Sequence, residues 1–337
     1  MNSSMLFKKL SCALLLSITS TVIFAVEPSA KHHASKADDC KACHTSGDNF
    51  KPVEINASCQ QCHEGVPGEG RLLTAMKRQP PTSIDDGSDS GMTPPQYYET
   101  SQFGNAPHEM VLIPAGAFTM GSDNRLSDEG PQHNVTLDAY LIDKFEVTNL
   151  QYKKYIDDAG RRAPSHFEQR EIPKGKADHP VTFVSWFDAK KYCAWADKRL
   201  PTEQEWEKAA RGTDGRIFPW GNTFAIEMAN TPVRWETLKK EGDTSPVGAF
   251  KQGVSPYGLH DTSGNVWEWV DAWYKAHPGN EKPSENFGEI YRVLKGGSWW
   301  DCSFYQCGIS APVFNRSFFN PRVKNSSFGF RCANDVE

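Results

Sequence analysis

The chain has 337 residues, with 37 basic and 42 acidic side chains that give a formal net charge of −5 at pH 7. This acidic balance argues against a nucleic-acid-binding protein, whose binding face carries clustered positive charge. With 38% hydrophobic residues, 10 tryptophans and 19 phenylalanines, the composition excludes a largely disordered chain and indicates a globular protein with a sizeable core.

Residues 1–25 have the features of an export signal. Lys8 and Lys9 precede an apolar stretch that ends near Ala25, and a charged region followed by an apolar one is typical of such signals. The stretch is short for a membrane span, and no later segment supplies roughly 18 consecutive apolar residues. We expect cleavage before Val26, a periplasmic location and no transmembrane segment after cleavage. An uncleaved anchor is the alternative.

The next segment, residues 26–70, is polar and contains four of the nine cysteines, so it needs a cofactor or crosslinks to fold. Its stretches DDCKACHTS and ASCQQCHEG are two C-x-x-C-H units. In such a unit two thiols form thioethers to haem, and the following histidine is placed to ligate the iron. We therefore predict two haems c in an electron-transferring segment. The residues concerned are Cys40, Cys43, His44, Cys59, Cys62 and His63.

A zinc site or two disulfides would also fit the same four cysteines. Their spacing is also that of a tetrahedral zinc site, and two disulfides are a third arrangement. A histidine after each cysteine pair favours haem over zinc, because four thiolates already complete a zinc site. Each haem iron also has a second axial position, for which His32 and His33 are the candidate distal ligands, with Met76 and His108 as further candidates.

Residues 71–106 predict a linker of mostly extended chain, because they are rich in proline, glycine and small polar residues. From residue 107 to residue 337, apolar runs alternate with amphipathic stretches, which predicts the main folded domain. In it, MVLIPAGAFTMGS predicts a strand pair that turns at Ala115–Gly116, and NVTLDAYLID predicts another strand.

Three helices follow in the predicted domain. Thr148 is placed to cap a helix through NLQYKKYIDDA that stops at Gly160, and SWFDAKKYCAWAD has the period of a second helix. TEQEWEKAARG predicts a third, because Thr202 and Glu205 have capping-box spacing and Gly212 is a stop signal. The remainder is turn-rich, so the sequence predicts an irregular α+β domain.

The motifs of the domain occur in a defined order: IPAGAFTMGS, HPVTFVSWFDAKKYCAWADKRLPTEQEWEKAARG, FPWGN, YGLHDTSGNVWEWV, KGGSW and GFRC. This order resembles the formylglycine-generating enzyme family, also called the sulfatase-modifying factor family, over about residues 107–333. The resemblance implies a compact C-type-lectin-like α+β fold with little regular secondary structure. It leaves the activity open, because the family includes oxidases, iron enzymes, pseudoenzymes and ligand-binding modules.

The resemblance also assigns roles to cysteines outside the haem segment. It implies a disulfide between Cys193 and Cys332, which would stabilise an irregular exported domain by closing a long loop. It further implies that Cys302 and Cys307, at C-x4-C spacing after the GGS turn, form a Cu(I)-binding pair, with Ser298 as the active-site serine. A structural disulfide between Cys302 and Cys307, or two free thiols, are the alternatives.

Three departures from the family pattern bear on this cysteine pair. Cys302 stands one residue farther from the GGS turn than the family places it, and Ile309 and Ala311 stand where arginines of the peptide site are expected. The tyrosine that precedes the second cysteine, Tyr305, is also moved by one residue. The resemblance therefore makes formylglycine generation doubtful for this chain.

The stretch SGNVWEWV matches a calcium-binding motif of the same family. The resemblance implies a calcium site built from the side chains of Asn265 and Glu268 and the carbonyl of Val266. The alternative is a packed turn in which the rings of Trp267 and Trp269 fill the interior.

Together these features predict an exported dihaem c-type electron-transfer protein. Its large domain would dock a periplasmic redox protein or hold a metal, and the resemblance adds an accessory role in periplasmic respiration. One alternative is a copper-dependent thiol oxidase that uses Cys302 and Cys307; another is a non-catalytic binding module with structural cysteines. The sequence shows no Ser-His-Asp order, phosphate-binding glycine loop or H-E-x-x-H motif, so we predict neither a hydrolase nor a nucleotide enzyme.

Overall fold

The computed structural model describes residues 101–300 and 311–336, which lie in one compact unit of the chain. Short helices and strands alternate there with long turn-rich connections, in agreement with an α+β domain of little regular structure. The helices are α1 (Asn149–Asp158), α2 (Trp186–Trp195), α3 (Glu203–Arg211) and α4 (Pro232–Leu238). The strands are β1 (Met110–Ile113), β2 (Gly116–Met120), β3 (His133–Leu137), β4 (Tyr140–Asp143), β5 (Trp267–Trp273), β6 (Arg292–Lys295), β7 (Ser317–Phe319), β8 (Phe328–Gly329) and β9 (Ala333–Asp335).

The described strands form three small sheets. One has the order β1-β4-β9, a second pairs β2 with β3, and the third has the order β7-β6-β5-β8. All pairs are antiparallel except β5 with β8. Glu268 on β5 is in register with Lys295 on β6. The SGNVWEWV and KGGSW motifs therefore lie on neighbouring strands.

The predicted strand pairing is wrong in two places. β1 and β2 flank Ala115 as expected, but they form no hairpin, because β1 pairs with β4 and β2 pairs with β3. NVTLDAYLID is not one strand, since the chain leaves one sheet after Leu137 and enters another at Tyr140. Alternation of apolar and polar residues shows that a segment is extended; it does not show which strand will pair with it.

The three predicted helices are confirmed, and each begins with a capping box. In α1 the amide of Gln151 donates to the Thr148 hydroxyl at 3.3 Å, and the Thr148 amide donates back to the Gln151 side chain at 3.0 Å. In α2 the same box joins Ser185 and Asp188. Gly212 follows α3 with a φ of 76°, a conformation that glycine adopts without a steric cost.

The largest hydrophobic cluster contains side chains of α1, α2 and the third sheet. We call its central rings the aromatic core: Tyr152, Tyr155, Tyr192 and Phe330 contact one another with ring centroids 5.3 to 6.3 Å apart. The opposite side of α2 faces outward, because Phe187 is 38% exposed. Burial of large rings is a principal source of stability in a domain with so few regular elements.

Two features of the domain were not predicted. One is α4, which has a proline in its first turn. The other is the contact made by residues 101–106, which the sequence places in the linker: the Ser101 hydroxyl and the Gln102 amide both donate to the carboxylate of Asp178. The described part of the domain thus includes the end of the predicted linker. Within residues 101–300 and 311–336, no helix is long and apolar enough to cross a membrane.

Candidate functional site

The KGGSW turn follows β6 and is attached to the SGNVW turn. Gly296 and Gly297 have φ angles of 91° and 76°, which favour glycine. The Gly264 amide donates to the Gly296 carbonyl at 2.8 Å, and the Trp299 amide donates to the Asn265 carbonyl at 2.9 Å. Two backbone hydrogen bonds therefore join the two motifs for which the family resemblance implies copper and calcium.

Ser298, the predicted active-site serine, is fully buried. Its hydroxyl donates to the carbonyl of Trp300 and accepts from the Trp300 amide at 3.2 Å. A side chain that bonds to the backbone two residues on stabilises a tight turn, so Ser298 shapes the chain just before Cys302. Cys302 and Cys307 lie outside the described residues, and their catalytic and copper-binding roles stay predictions.

Indole rings border the described side of the KGGSW turn. Gly242 lies between Trp235 of α4 and Trp299, because a Cβ at position 242 would stand 2.9 Å from Trp235 and 3.0 Å from Trp299. The Trp235 Nε1 donates to Asn230 Oδ1 at 2.7 Å, which fixes the ring. Sequence reasoning missed Trp235, because the polar residues after it gave no helical period from which α4 could be predicted.

The Asn265 side chain and the Val266 backbone amide are bonded to protein partners, whereas the Val266 atom of the calcium prediction is the carbonyl. The Asn265 Oδ1 accepts from the Ser245 amide at 2.9 Å and from the Asn230 side chain at 3.2 Å. The Val266 amide donates to the carboxylate of Glu146 at 3.2 Å. These contacts hold the SGNVW turn in the interior.

Glu268, the third predicted calcium residue, is fully buried and forms an ion pair with Arg331. Its two oxygens accept from Arg331 at 2.7 Å each, and one also accepts from the Trp206 Nε1 at 2.8 Å. The side-chain oxygens of Asn265 and Glu268 therefore serve different partners and do not form an open ligand set. The calcium role, which also names the carbonyl of Val266, stays a prediction.

Two further carboxyl groups lie near this ion pair. Burial, reinforced by the charges of Asp261 and Glu268, raises the pKa of Glu146 well above its usual range. Burial also raises the pKa of Asp261 to about 6. We call Glu146, Asp261, Glu268 and Arg331 the buried acid cluster. It holds three acids and one base, so protonation of an acid relieves repulsion between the carboxylates.

The structure contains the disulfide that the resemblance implies. Cys193 on α2 and Cys332 before β9 are joined across 139 residues, with Cα atoms 5.7 Å apart, an ordinary distance for a disulfide. Both residues are fully buried and belong to the cluster that contains the aromatic core. The bond therefore closes the domain between its second helix and its last strand.

The haem predictions concern residues outside the described part of the chain. His32, His33 and the two C-x-x-C-H units all lie there, so haem, zinc and disulfides remain alternatives. His108 is described, and its two ring nitrogens bond to the Glu146 carbonyl at 2.9 Å and to the Gln151 side chain at 3.1 Å. Since both nitrogens are used within the domain, the structure argues against His108 as a haem ligand.

Buried ion pairs form a second group that sequence reasoning missed. Glu207 pairs with Lys295 at 2.9 Å and Glu203 pairs with Arg316 at 2.6 Å, and all four side chains are buried. The partners are 88 and 113 residues apart, so no local pattern reveals them. A charged residue inside an apolar motif, such as Lys295 in VLKGGSW, is the signal that could have found them. Among the described residues, no group of three or more His, Cys, Asp or Glu side chains is arranged to hold a metal ion.

Small sheets, turn-rich connections, the paired KGGSW and SGNVW turns and the closing disulfide define a domain of the formylglycine-generating-enzyme type. Residues 97–336 match the model of the sulfatase-modifying factor enzyme 1-like domain, and the chain belongs to this family. Among solved structures, PvdO from Pseudomonas aeruginosa has 28% sequence identity and a TM-score of 0.55, covering 68% of this chain and 95% of that one. CarF, with 21% identity and a TM-score of 0.51, shows the same fold.

Curated relatives differ in what they do. A formylglycine-generating enzyme of Mus musculus is 33% identical over 287 residues, which are 67% of this chain and 75% of that protein. An inactive C-alpha-formylglycine-generating enzyme 2 of Bos taurus is 33% identical over 276 residues, 66% of this chain and 87% of that protein. Hercynine oxygenase of Mycolicibacterium smegmatis is 32% identical over 326 residues, 81% of this chain and 70% of that protein. Active and inactive relatives are equally similar, so identity alone does not assign an activity.

Proposed function

We propose that this protein is an exported dihaem c-type electron-transfer protein whose family domain docks a periplasmic redox partner. The observation that carries the proposal is the pair of C-x-x-C-H units, spaced 19 residues apart between Cys40 and Cys59. Each unit supplies two thioether-forming thiols and one axial histidine, and haems attached this close together in sequence are suited to passing electrons between them.

The domain supports a docking role more readily than peptide oxidation. Where the family has an arginine of its peptide site, Ala311 is buried, and its carbonyl accepts a hydrogen bond from Ser263. A neutral, buried residue at that position cannot form the charge-assisted hydrogen bonds that an arginine offers. The disulfide and the buried ion pairs make the domain a stable scaffold for a partner.

Haem content tests the first part of the proposal. We would express the full chain in a host that attaches c-type haem and measure haem per chain from the pyridine haemochrome spectrum and the intact mass. We expect two covalent haems for the wild type and one for Cys43→Ala or Cys62→Ala, whereas Cys302→Ala retains two. A chain that carries zinc and no covalent haem would overturn the proposal.

Electron transfer tests the second part. The reduced haems should be reoxidised by a partner captured from periplasmic extract with the intact protein, and midpoint potentials should distinguish paired histidine ligation from histidine–methionine ligation. His32→Met and His33→Met are matched variants that raise the potential of one haem only where that histidine is the distal ligand. Haems that no periplasmic protein reduces or oxidises would contradict the electron-transfer role.

A copper-dependent thiol oxidase is a second candidate, favoured by the 33% identity with a formylglycine-generating enzyme. Cys302 and Cys307 would hold Cu(I), which would supply oxygen activation. The assay is conversion of a peptide with a C-x-P-x-R motif in the presence of oxygen, reductant and copper. Conversion that is lost in Cys302→Ser and Cys307→Ser but kept in Ser303→Ala would establish the oxidase. No conversion by the copper-loaded protein would exclude this substrate motif.

A further inference from the structure

A surface pocket of about 450 Å³ lies beside the start of α2. It is bordered by Ser185, Phe187, Asp188, Lys191, Arg322 and Lys324. The Arg322 guanidinium stands over the Phe187 ring, 5.4 Å from the ring centroid. The pocket thus has an apolar wall with cationic groups around it, an arrangement that suits an anionic segment with some apolar surface.

The charge of this pocket is not balanced by its neighbours. Three of its side chains are cationic and one is anionic, and Lys324 already pairs with Asp188 at 2.7 Å. Within the described residues, Lys191 and Arg322 form no ion pair. Residues 101–337 as a whole carry 28 basic and 31 acidic side chains, a formal charge of −3. The positive potential of this pocket, on a domain that is acidic as a whole, favours the binding of an anionic group.

The chain itself provides such an occupant just before the described domain. Residues 79–100, QPPTSIDDGSDSGMTPPQYYET, contain four acidic side chains and no lysine or arginine. The acids are Asp85, Asp86, Asp89 and Glu99. The stretch has the prolines and small polar residues of an extended chain, and we call it the acidic linker.

The acidic linker is long enough to reach the pocket. Its C-terminal end is fixed, because Ser101 and Gln102 bond to Asp178. Asp178 precedes Ser185 by seven residues, so these two lie at most about 25 Å apart. The 16 residues from Asp85 to Ser101 span up to about 55 Å when extended, which exceeds that distance.

We propose that the acidic linker docks in this pocket, with the carboxylates of Asp85 and Asp86 on Lys191 and Arg322 and a neighbouring apolar side chain against Phe187. The contact is intramolecular, and a tether of this length gives an effective concentration on the order of millimolar. Exposed ion pairs that are individually weak can therefore form a populated contact. This inference is independent of the haem proposal, because it uses residues 79–100 and the domain alone.

Carbodiimide cross-linking of the full chain tests the contact, since it joins a carboxylate directly to an amine that touches it. Mass spectrometry should find links from the acidic linker to Lys191 or Lys324 at low salt. We expect at least a tenfold loss at 0.5 M salt, because the contact is electrostatic and solvent-exposed. A mixture of isotopically light and heavy chains distinguishes links within a chain from links between chains.

Matched variants sharpen the test. Arg322→Glu should reduce the links to Lys191 and Lys324 at least fivefold, whereas Lys190→Glu is the control, because Lys190 pairs with Asp271 away from the pocket. A charge swap combines Asp85→Lys and Asp86→Lys in the linker with Lys191→Glu and Arg322→Glu in the pocket. In this variant a new cross-link should join position 85 or 86 to position 191. Unchanged circular dichroism verifies folding. Links spread evenly over exposed lysines such as Lys251, or links between chains only, would overturn the proposal.

Discussion

Two interior regions of this domain are stabilised in different ways. The aromatic core is built from tyrosine and phenylalanine rings around a disulfide. The other region, which we call the charged core, contains the fully buried ion pairs Glu207–Lys295, Glu203–Arg316 and Glu268–Arg331. Apolar burial depends little on pH, whereas buried charges are stabilising only while each keeps its partner. Changes of pH therefore act on the domain through the charged core, whereas the aromatic core contributes a stability that depends little on pH.

Removal of the disulfide should have the largest effect. Cys193→Ser with Cys332→Ser releases a loop of 139 residues, and the chain-entropy account gives a loss of about 5 kcal/mol in the free energy of unfolding. Urea unfolding of the full chain under non-reducing conditions measures it. Reduced wild type is the control and should match the variant. A loss below about 1 kcal/mol would mean that packing of the rings alone maintains the aromatic core.

Loss of one partner from the charged core should come next. Arg331→Met leaves Glu268 buried without its cation, and we expect a loss of about 3–5 kcal/mol. The exposed Arg322→Met is the matched control and should change stability by no more than about 0.5 kcal/mol. Addition of Glu268→Gln to Arg331→Met should recover part of the loss in the same urea titration. Equal effects of the two arginine variants would contradict the role of buried pairing.

The buried acid cluster should make stability fall as pH rises. The pKa of Asp261 is raised from 3.8 to about 6, so the folded state binds its proton more tightly than the unfolded state does. The free-energy cost of ionising Asp261 in the folded state is absent below about pH 4. It is complete above about pH 6, where it lowers the free energy of unfolding by about 3 kcal/mol.

The variant Asp261→Asn removes this cost. Its stability relative to wild type should therefore improve by up to about 3 kcal/mol between pH 4 and pH 7, measured by urea unfolding at each pH. Asp271→Asn, at a partly exposed carboxylate outside the cluster, is the control. A difference between wild type and Asp261→Asn that does not vary with pH would show that the carboxyl group is not perturbed.

Removal of a helix cap should have the smallest effect on the free energy of unfolding, and the effect should be the same beside both cores. Thr148→Ala removes the cap of α1 beside the aromatic core, and Thr202→Ala removes the cap of α3 beside the charged core. Each should cost about 1 kcal/mol, because the lost hydrogen bond is local. Two costs that differ by more than about 1 kcal/mol would show that capping is coupled to the core underneath.

Local features of this chain are readable from sequence, and long-range ones are not. The cap and stop signals of α1 and α3 and the apolar period of α2 act over a few residues, so they predicted those helices correctly. The pairing of β1 with β4 and of β4 with β9 depends on partners far along the chain, and alternation carries no information about them. The Cys193–Cys332 disulfide was reached through family resemblance for the same reason.

The candidate site shows the same division. The motifs around Ser298 and Asn265 were identified, but their bonding was not, because Glu146 and Arg331 join them from distant positions. Glu268 has the oxygen atoms of a calcium ligand and serves as the partner of an arginine. The role of a carboxylate in a motif therefore depends on the buried cation that pairs with it.

The disulfide also sets an order of events during synthesis. Cys193 is made 139 residues before Cys332, and at about 5–20 residues per second this interval is on the order of ten seconds. Throughout that time its thiol coexists with the four earlier cysteines of the two C-x-x-C-H units, and a wrong pairing with any of them would leave Cys332 without its partner. If those four thiols become thioethers, as we propose, Cys193 has fewer competitors when its proper partner emerges.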